Sequence, residues 1–413
     1  MKKIVIAGPS TYGVKNQGDD AMFKVFCDGI RKKIPSVEIT FLARHPNKEF
    51  DQIYGVKSIK NLDHNSKKES LGRWFNGFNP GDLTTHLRYI REEISSSDLV
   101  VIGGNSFMEV SPSEFLKGIT TYSATIATWA RLFEKPFVIY GAAVYPIESD
   151  YTKQIARFLC NNAALVTLRE NDSKKELIRA GIINDSRIKV LSDPAFGLDP
   201  IKKTSVGKKI LEKEKIRLKN EKLVGVVFRH MYWLWNDEDF LKYGRKMADL
   251  CDFIIEKFKS DILFIPNCTY NIDTKYTDDR FVANSILSKM KNKDRAHVIN
   301  NEYHLNDLLS IYPLLDMLIS NRRHALIFGA IHRVPIVALS TGHPWHFKPW
   351  IKELSLSSQL ASLTDDTISE IETRIIESFN RSDKIKKTIS KTVPRLREKA
   401  LRGIDEISKI ILK

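Results

Sequence analysis

The chain has 413 residues, a formal charge of +15 and 42% hydrophobic residues. At about 100–200 residues per domain this length suggests two domains, and the apolar content excludes a disordered chain. No apolar run reaches the ~18 residues a membrane span requires, and the four cysteines, Cys27, Cys160, Cys251 and Cys268, form no Cys-x-x-Cys.

The N-terminal "MKKIVIAGPS" stops at Gly-Pro after too short an apolar stretch for a secretory leader, so it reads as a first strand, residues 3–7. The helical pattern "GDDAMFKVFCDGIRKKI" follows, with Met22, Phe23, Phe26 and Ile30 at helical spacing, then strand "VEITFLA". Residues 60–82 are polar and rich in Gly and Asn, and read as a long loop. Helix "LTTHLRYIREEI" and strand "DLVVIGGN" come next, then "TYSATIATWARLFEK" (helix), "PFVIYGAAV" (strand), "TKQIARFLCNNA" (helix), "ALVTLRE" (strand), "SKKELIRAG" (helix) and "IKVLSDPAF" (strand). Strands alternating with helices indicate βαβ units and parallel sheets.

Around residues 202–222 the composition turns charged, which places a domain junction there and expects domains at 1–200 and 201–413. The alternation then restarts: strands "LVGVVFR", "DILFIPN", "HVINN", "MLIS" and "PIVALS" are separated by helical patterns. From Asp365 on, two amphipathic helical patterns close the chain. The fold class is α/β: two Rossmann-like parallel-sheet domains with C-terminal helices. In such sheets ligands bind beyond the carboxyl ends of the strands, and the expected cleft lies between the two domains.

Polar residues stand at several of those ends. "NQGDDAM" brings Asn16, Gly18, Asp19 and Asp20 after the first strand. The two aspartates also suit the first turn of a helix, where carboxylates cap the backbone and complement the dipole. "VVIGGN" brings Gly103, Gly104 and Asn105, as a substrate contact or a turn, and "ALVTLRE" brings Arg169, which more readily forms an ion pair with a nearby acid. "VGVVFRH" brings Arg229 and His230, and "SNRRHALIF" brings Arg322, Arg323 and His324. Arginine forks match carboxylate and phosphate, and a helix N-terminus adds N–H donors, so this last turn reads as an anion site. Its competing reading is a salt bridge to a carboxylate of the neighbouring domain. Tyr232 to Trp235 could stack on sugar rings or fill the core. His343 and His346, separated by Pro344 and lacking a carboxylate partner, argue against a metal. No Gly-x-Gly-x-x-Gly follows the first strand and no Gly-Lys-Ser/Thr occurs, which weakens dinucleotide and P-loop chemistry. The lysines are dispersed with no recognition motif, so nucleic acid is not an expected partner. The spread of cysteines fits a reducing cytoplasm.

In order, "NQGDDAM", "VVIGGN", "ALVTLRENDSKKELIRAGI", "SDPAF", "VGVVFR" and "SNRRHALIFGAIHRVPIVAL" resemble the polysaccharide pyruvyl transferase family over most of residues 1–345. The resemblance implies a GT-B-like two-domain fold. It implies transfer of pyruvate from phosphoenolpyruvate to a sugar as a ketal, with no metal or cofactor. It implies donor binding by Arg229 and Arg322 and catalysis by His324, with Lys348 and Arg169 as weaker correspondences. Asn16, Gly18, Asp19, Asp20, Asn105 and Arg169 would then lie on the acceptor side. The acceptor would be a sugar of a cell-surface polysaccharide or its lipid-diphosphate-linked precursor, met in the cytoplasm at the inner face of the membrane. Arg323 stands where the family carries an apolar residue, and Asn105 where it often carries a third glycine. Two other readings stay open: a GT-B glycosyltransferase using a nucleotide sugar, and a non-catalytic protein binding nucleic acid or another anion.

Overall fold

The computed structural model describes residues 1–8, 15–62, 86–104, 106–107, 109, 119–183, 186–220, 222–231, 234–269, 275–342 and 347–413. Asn105, Tyr232, Trp233, His343, His346 and most of the expected loop at 60–82 lie outside the described residues.

The chain divides into two compact units. The first comprises Met1–Val14, Asp19–Gly197 and Arg397–Lys413; the second comprises Lys15–Gly18 and Leu198–Leu396.

The first unit is built on strands β1 (Lys3–Ala7), β2 (Glu38–Ala43), β3 (Lys57–Lys60), β4 (Leu99–Gly103), β5 (Ser106–Phe107), β6 (Phe137–Val144), β7 (Leu165–Leu168) and β8 (Ile188–Val190). They pair in parallel in the order β3-β2-β1-β4-β6-β7-β8, with β5 beside β6. Helices α1 (Gln17–Lys33), α2 (Lys48–Tyr54), α3 (His86–Ser96), α4 (Ile119–Leu132), α5 (Asp150–Asn162) and α6 (Asn171–Arg179) make the connections. A parallel sheet buried on both faces reads as a continuous apolar run, and β1 shows why. Val5 and Ala7 enter one core and Ile4 and Ile6 the other, as the two-residue period of a strand requires. Phe23, Phe26 and Ile30 of α1 pack into the second of these cores, together with Ile404, Ile407 and Ile411 from the end of the chain.

The second unit opens with α7 (Ser205–Lys213) and carries β9 (Lys222–Val227), β10 (Ser260–Phe264), β11 (Ala296–Val298), β12 (Met317–Ser320), β13 (Ile336–Ser340) and β14 (Leu360–Ser362). All pair in parallel, in the order β11-β10-β9-β12-β13-β14. The connecting helices are α8 (Asp237–Phe258), α9 (Asp279–Leu287), α10 (Leu305–Leu309), α11 (Arg323–Ile331) and α12 (Lys348–Glu353). The closing pair, α13 (Ile368–Asn380) and α14 (Ser382–Leu412), forms the expected helical C-terminus. A capping box at Asn236 and Asp239 starts α8, and a second at Thr367 and Glu370 starts α13. One core lies on the α8 face, where Val224, Val226 and Phe228 meet Met247, Cys251 and Ile254. The chain direction across the sheet reverses between β9 and β12, because β10 and β11 lie on one side of β9 and β12 to β14 on the other. That switch point is where the ends of two neighbouring strands part and leave a crevice.

Candidate functional site

Arg229 and Arg322 stand at the switch point. Val227 of β9 is level with Ser320 of β12; two residues further along each chain come Arg229 and Arg322. Both ends are fixed by short polar bonds. The Arg229 N–H donates to Oδ1 of Asn321 at 2.7 Å, and Asn321 Nδ2 donates to the Arg229 carbonyl at 2.8 Å. The Ser320 hydroxyl donates to the Val227 carbonyl at 2.7 Å and accepts the Arg322 N–H at 2.8 Å. Arg229 is half-buried, and Arg322 is 7% exposed.

Arg322 is paired. Its Nη2 donates to Oδ1 of Asp279 at 2.5 Å, in an ion pair buried on both sides. Oδ2 of Asp279 accepts the N–H groups of Asn267 and Cys268, each at 2.9 Å. Burial raises the Asp279 carboxyl above its ordinary value. The charge and hydrogen bond of Arg322, the Asn267 N–H and the Arg229 charge pull it back. Both arginines therefore act electrostatically on one carboxyl. The ion pair that competed with an anion-binding role at sequence level is present, and it uses Asp279 of the same unit.

His324 is the second residue of α11 and is half-buried. Its ring lies against Gly18: a Cβ built on Gly18 would fall 2.1 Å from His324 Nδ1. The strip carrying Gly18 is held to this unit by main-chain bonds. Gln17 N donates to Asn267 O at 2.9 Å, Thr269 N donates to Lys15 O at 3.1 Å, and Asn16 and Cys268 form an antiparallel bridge. Asn16 also accepts the Gly18 N–H at 3.2 Å and so caps the start of α1. Arg229, Arg322, His324, Asn16 and Gly18 thus come together within one unit, although Asn16 and Gly18 belong to a segment far away in sequence.

His230, beside Arg229, is buried in an aromatic cage. Tyr276 stacks on it at 4.4 Å, Phe240 meets it edge-on at 4.4 Å, and Trp235 lies at 5.7 Å. Burial lowers its pKa to about 4, so the ring is neutral at pH 7. Trp235 itself is part of the core, with Phe228 and Tyr243.

The other expected residues lie elsewhere. Asp19 and Asp20 occupy the first turn of α1 and are counted with the first unit. Burial, and secondarily the Asp19 charge, lifts the Asp20 carboxyl to about 8. Arg169 sits at the end of β7, donates through Nε to the Gly141 carbonyl at 2.5 Å, and pairs with Asp193 at 3.4 Å, both side chains buried. Gly141 has φ +64, and a Cβ there would fall 2.5 Å from Cγ of Pro194. The Leu-Arg-Glu and Asp-Pro-Ala segments are thereby locked to each other. Lys348 is exposed at the first residue of α12 and makes no described bond to the arginine cluster. Among the described residues no group of three or more His, Cys, Asp or Glu is arranged to hold a metal, and no helix is long and apolar enough to cross a membrane. Asp279 and Asn321 carry little mark of a role at this site in the sequence. The one available signal was "YTDDRF", where adjacent aspartates open a helix, which reads first as a cap.

Two parallel-sheet α/β units with a helical C-terminus define a GT-B-like protein. Its similarity to solved structures lies in that class. A glycosyltransferase from Rickettsia africae ESF-5 superposes with a TM-score of 0.60 at 15% identity, covering 100% of this chain and 98% of that one. A UDP-GlcNAc 2-epimerase from Neisseria meningitidis bound to UDP-GlcNAc gives 0.61 at 14% identity, with all of both chains covered. Residues 16–343 match the polysaccharide pyruvyl transferase family, and the chain belongs to it. It is also 21% identical over 405 residues to the amylovoran biosynthesis protein AmsJ of Erwinia amylovora, covering 92% of this chain and 91% of that protein.

Proposed function

We propose that the protein transfers pyruvate from phosphoenolpyruvate to a sugar of a cell-surface polysaccharide or its lipid-linked precursor, forming a ketal. One observation carries the reading: Arg229 and Arg322 end adjacent parallel strands at the switch point, with His324 in the helix turn that follows. Phosphoenolpyruvate has a phosphate and a carboxylate, and two guanidinium groups suit two such anions. An imidazole can donate and accept protons near neutral pH.

In the reaction, His324 gives a proton to the enol methylene and one acceptor hydroxyl adds to the adjacent carbon. The bond from that carbon to the phosphate oxygen breaks, and a second hydroxyl closes the ketal. One hydroxyl proton restores the histidine and the other leaves with phosphate, so the balance needs no oxidant. Neither a metal nor a cofactor takes part in this scheme. The excess positive charge favours an anionic acceptor, such as a lipid diphosphate at the inner face of the membrane.

The test measures phosphate release from phosphoenolpyruvate across a panel of lipid- and nucleotide-linked sugars. Acceptor-dependent release supports the reading. Consumption of a nucleotide sugar with no such release favours the glycosyltransferase. Anion binding without turnover, unaffected by His324→Ala, favours the non-catalytic alternative.

A further inference from the structure

We infer that Asp279 is a positioning residue that orients Arg322 toward the donor anion and ties it to the Asn16–Gly18 strip. The inference deepens the donor reading above and rests on it. Three sets of contacts meet at this residue. Its Oδ1 takes Nη2 of Arg322 at the end of β12. Its Oδ2 takes the N–H groups of Asn267 and Cys268, which follow β10, and its own N–H returns to the Cys268 carbonyl at 2.9 Å. Asn267 and Cys268 in turn bond Gln17 and Asn16, the residues that bring Gly18 against His324. One carboxylate therefore links the donor arginine to the strip supporting the catalytic histidine.

The neighbours of Asp279 extend the same role. Three residues earlier, Tyr276 stacks on His230 beyond β9. One residue later, Arg280 donates to the Asn300 carbonyl beyond β11 at 3.0 Å. The 3₁₀ turn Lys275–Thr277 and the start of α9 that follows it thus together touch the ends of β9, β10, β11 and β12.

The chemistry of the position is demanding. The hydrogen-bond partners of the Asp279 carboxylate are N–H donors, the Arg322 guanidinium on one oxygen and two backbone amides on the other, while the charge of Arg229 and the hydroxyl of Tyr312 interact with it electrostatically. An asparagine has one acceptor oxygen and one NH₂. Whichever way its amide turns, one face meets donor with donor. Asp279→Asn must therefore release either Arg322 or the loop after β10.

The full-length protein, its variants Asp279→Asn and Arg322→Gln, and the double variant are titrated calorimetrically with phosphoenolpyruvate and separately with inorganic phosphate. Thermal midpoints are recorded alongside. We expect Asp279→Asn to weaken phosphoenolpyruvate binding tenfold or more, and the double variant to bind no worse than Arg322→Gln alone, because Asp279 acts through Arg322. If Asp279→Asn does not fold, the double variant, which leaves no unpaired buried charge, carries the test against Arg322→Gln. Unchanged or tighter binding in folded Asp279→Asn overturns the inference, even with a lowered midpoint. So does a double variant weaker than Arg322→Gln. If the wild type binds phosphate but not phosphoenolpyruvate, the donor reading falls and Asp279 is scored on phosphate by the same comparison. If it binds neither, both fall.

Discussion

Gly18 gives His324 its place. The glycine Cα lies so close to the imidazole that an added Cβ would sit 2.1 Å from Nδ1, well inside any allowed contact. The glycine of the Asn-x-Gly-Asp segment and the histidine of the Arg-x-His segment are thus one structural unit. Gly18→Ala is expected to displace the ring and lower turnover by ~10²–10⁴-fold, the range lost with a general acid–base group. His324→Ala should lose as much. Steady-state rates of the two variants and of their combination check this, and Gly18→Ala turnover within threefold of wild type would refute the coupling.

Arg322→Lys keeps the charge and loses the planar fork. Losing a charge-assisted pair of this kind costs about 2–3 kcal/mol, roughly 30- to 150-fold in phosphoenolpyruvate affinity. Arg229→Lys should weaken binding in the same direction. Calorimetry decides, and an unchanged affinity in either variant removes that arginine from the donor site.

Asn321 holds the Arg229 backbone through two bonds. Asn321→Ala leaves both backbone groups without that partner and should lower stability by about 1–3 kcal/mol. Because the strand end then loosens, donor affinity should fall as well. Denaturant titration and calorimetry on one preparation separate the two effects, and retention of both values in the variant would contradict the assignment.

The stability should also depend on pH through histidines held neutral. Nδ1 of His332 lies 2.7 Å from the Phe328 carbonyl and Nε2 accepts the Ile201 N–H at 3.0 Å, so only the neutral ring protonated at Nδ1 makes both bonds. Burial holds this residue and His230 at about 4. An unfolded histidine takes its proton near 6.5, before the folded one does. The stabilisation is therefore complete above about 6.5, falls as pH drops toward 4, and levels off below that, by up to ~1.4 kcal/mol per pH unit for each group. Unfolding midpoints between pH 7 and 4 check the trend. His332→Gln, which cannot titrate, should flatten it, and a variant curve as steep as that of wild type would refute the role of His332.

The fold was legible where burial is two-sided. Strands such as "KIVIA" and "MLIS" read as apolar runs because both faces of their sheets are covered. Short or amphipathic elements are less legible: α2 and β3 carry too few apolar positions to stand out, α7 lies inside the charged run at residues 202–222, and β14 has only three residues. The expected strand "IKVLSDPAF" is strand only at Ile188–Val190, since Pro194 begins a 3₁₀ turn. At the candidate site, Arg229, Arg322 and His324 stand out by the rule that ligands gather at strand ends, and the roles proposed for them come from the family resemblance. Asp279 does not stand out, because its partner is 43 residues away and a paired carboxylate has no sequence mark. Nor does the contact of Gly18 with His324, which exists only once the Lys15–Gly18 strip has packed on the second unit.

The most direct test follows phosphoenolpyruvate itself. Wild-type protein and His324→Asn are incubated with phosphoenolpyruvate and the acceptor panel, and phosphate release and ketal formation are measured together. The account predicts equal amounts of phosphate and ketal with at least one acceptor, and loss of both in His324→Asn, because asparagine can hydrogen-bond but cannot carry a proton. Wild-type protein that forms no ketal with any acceptor while consuming a nucleotide sugar, or a His324→Asn variant that keeps most of the wild-type rate, would contradict it.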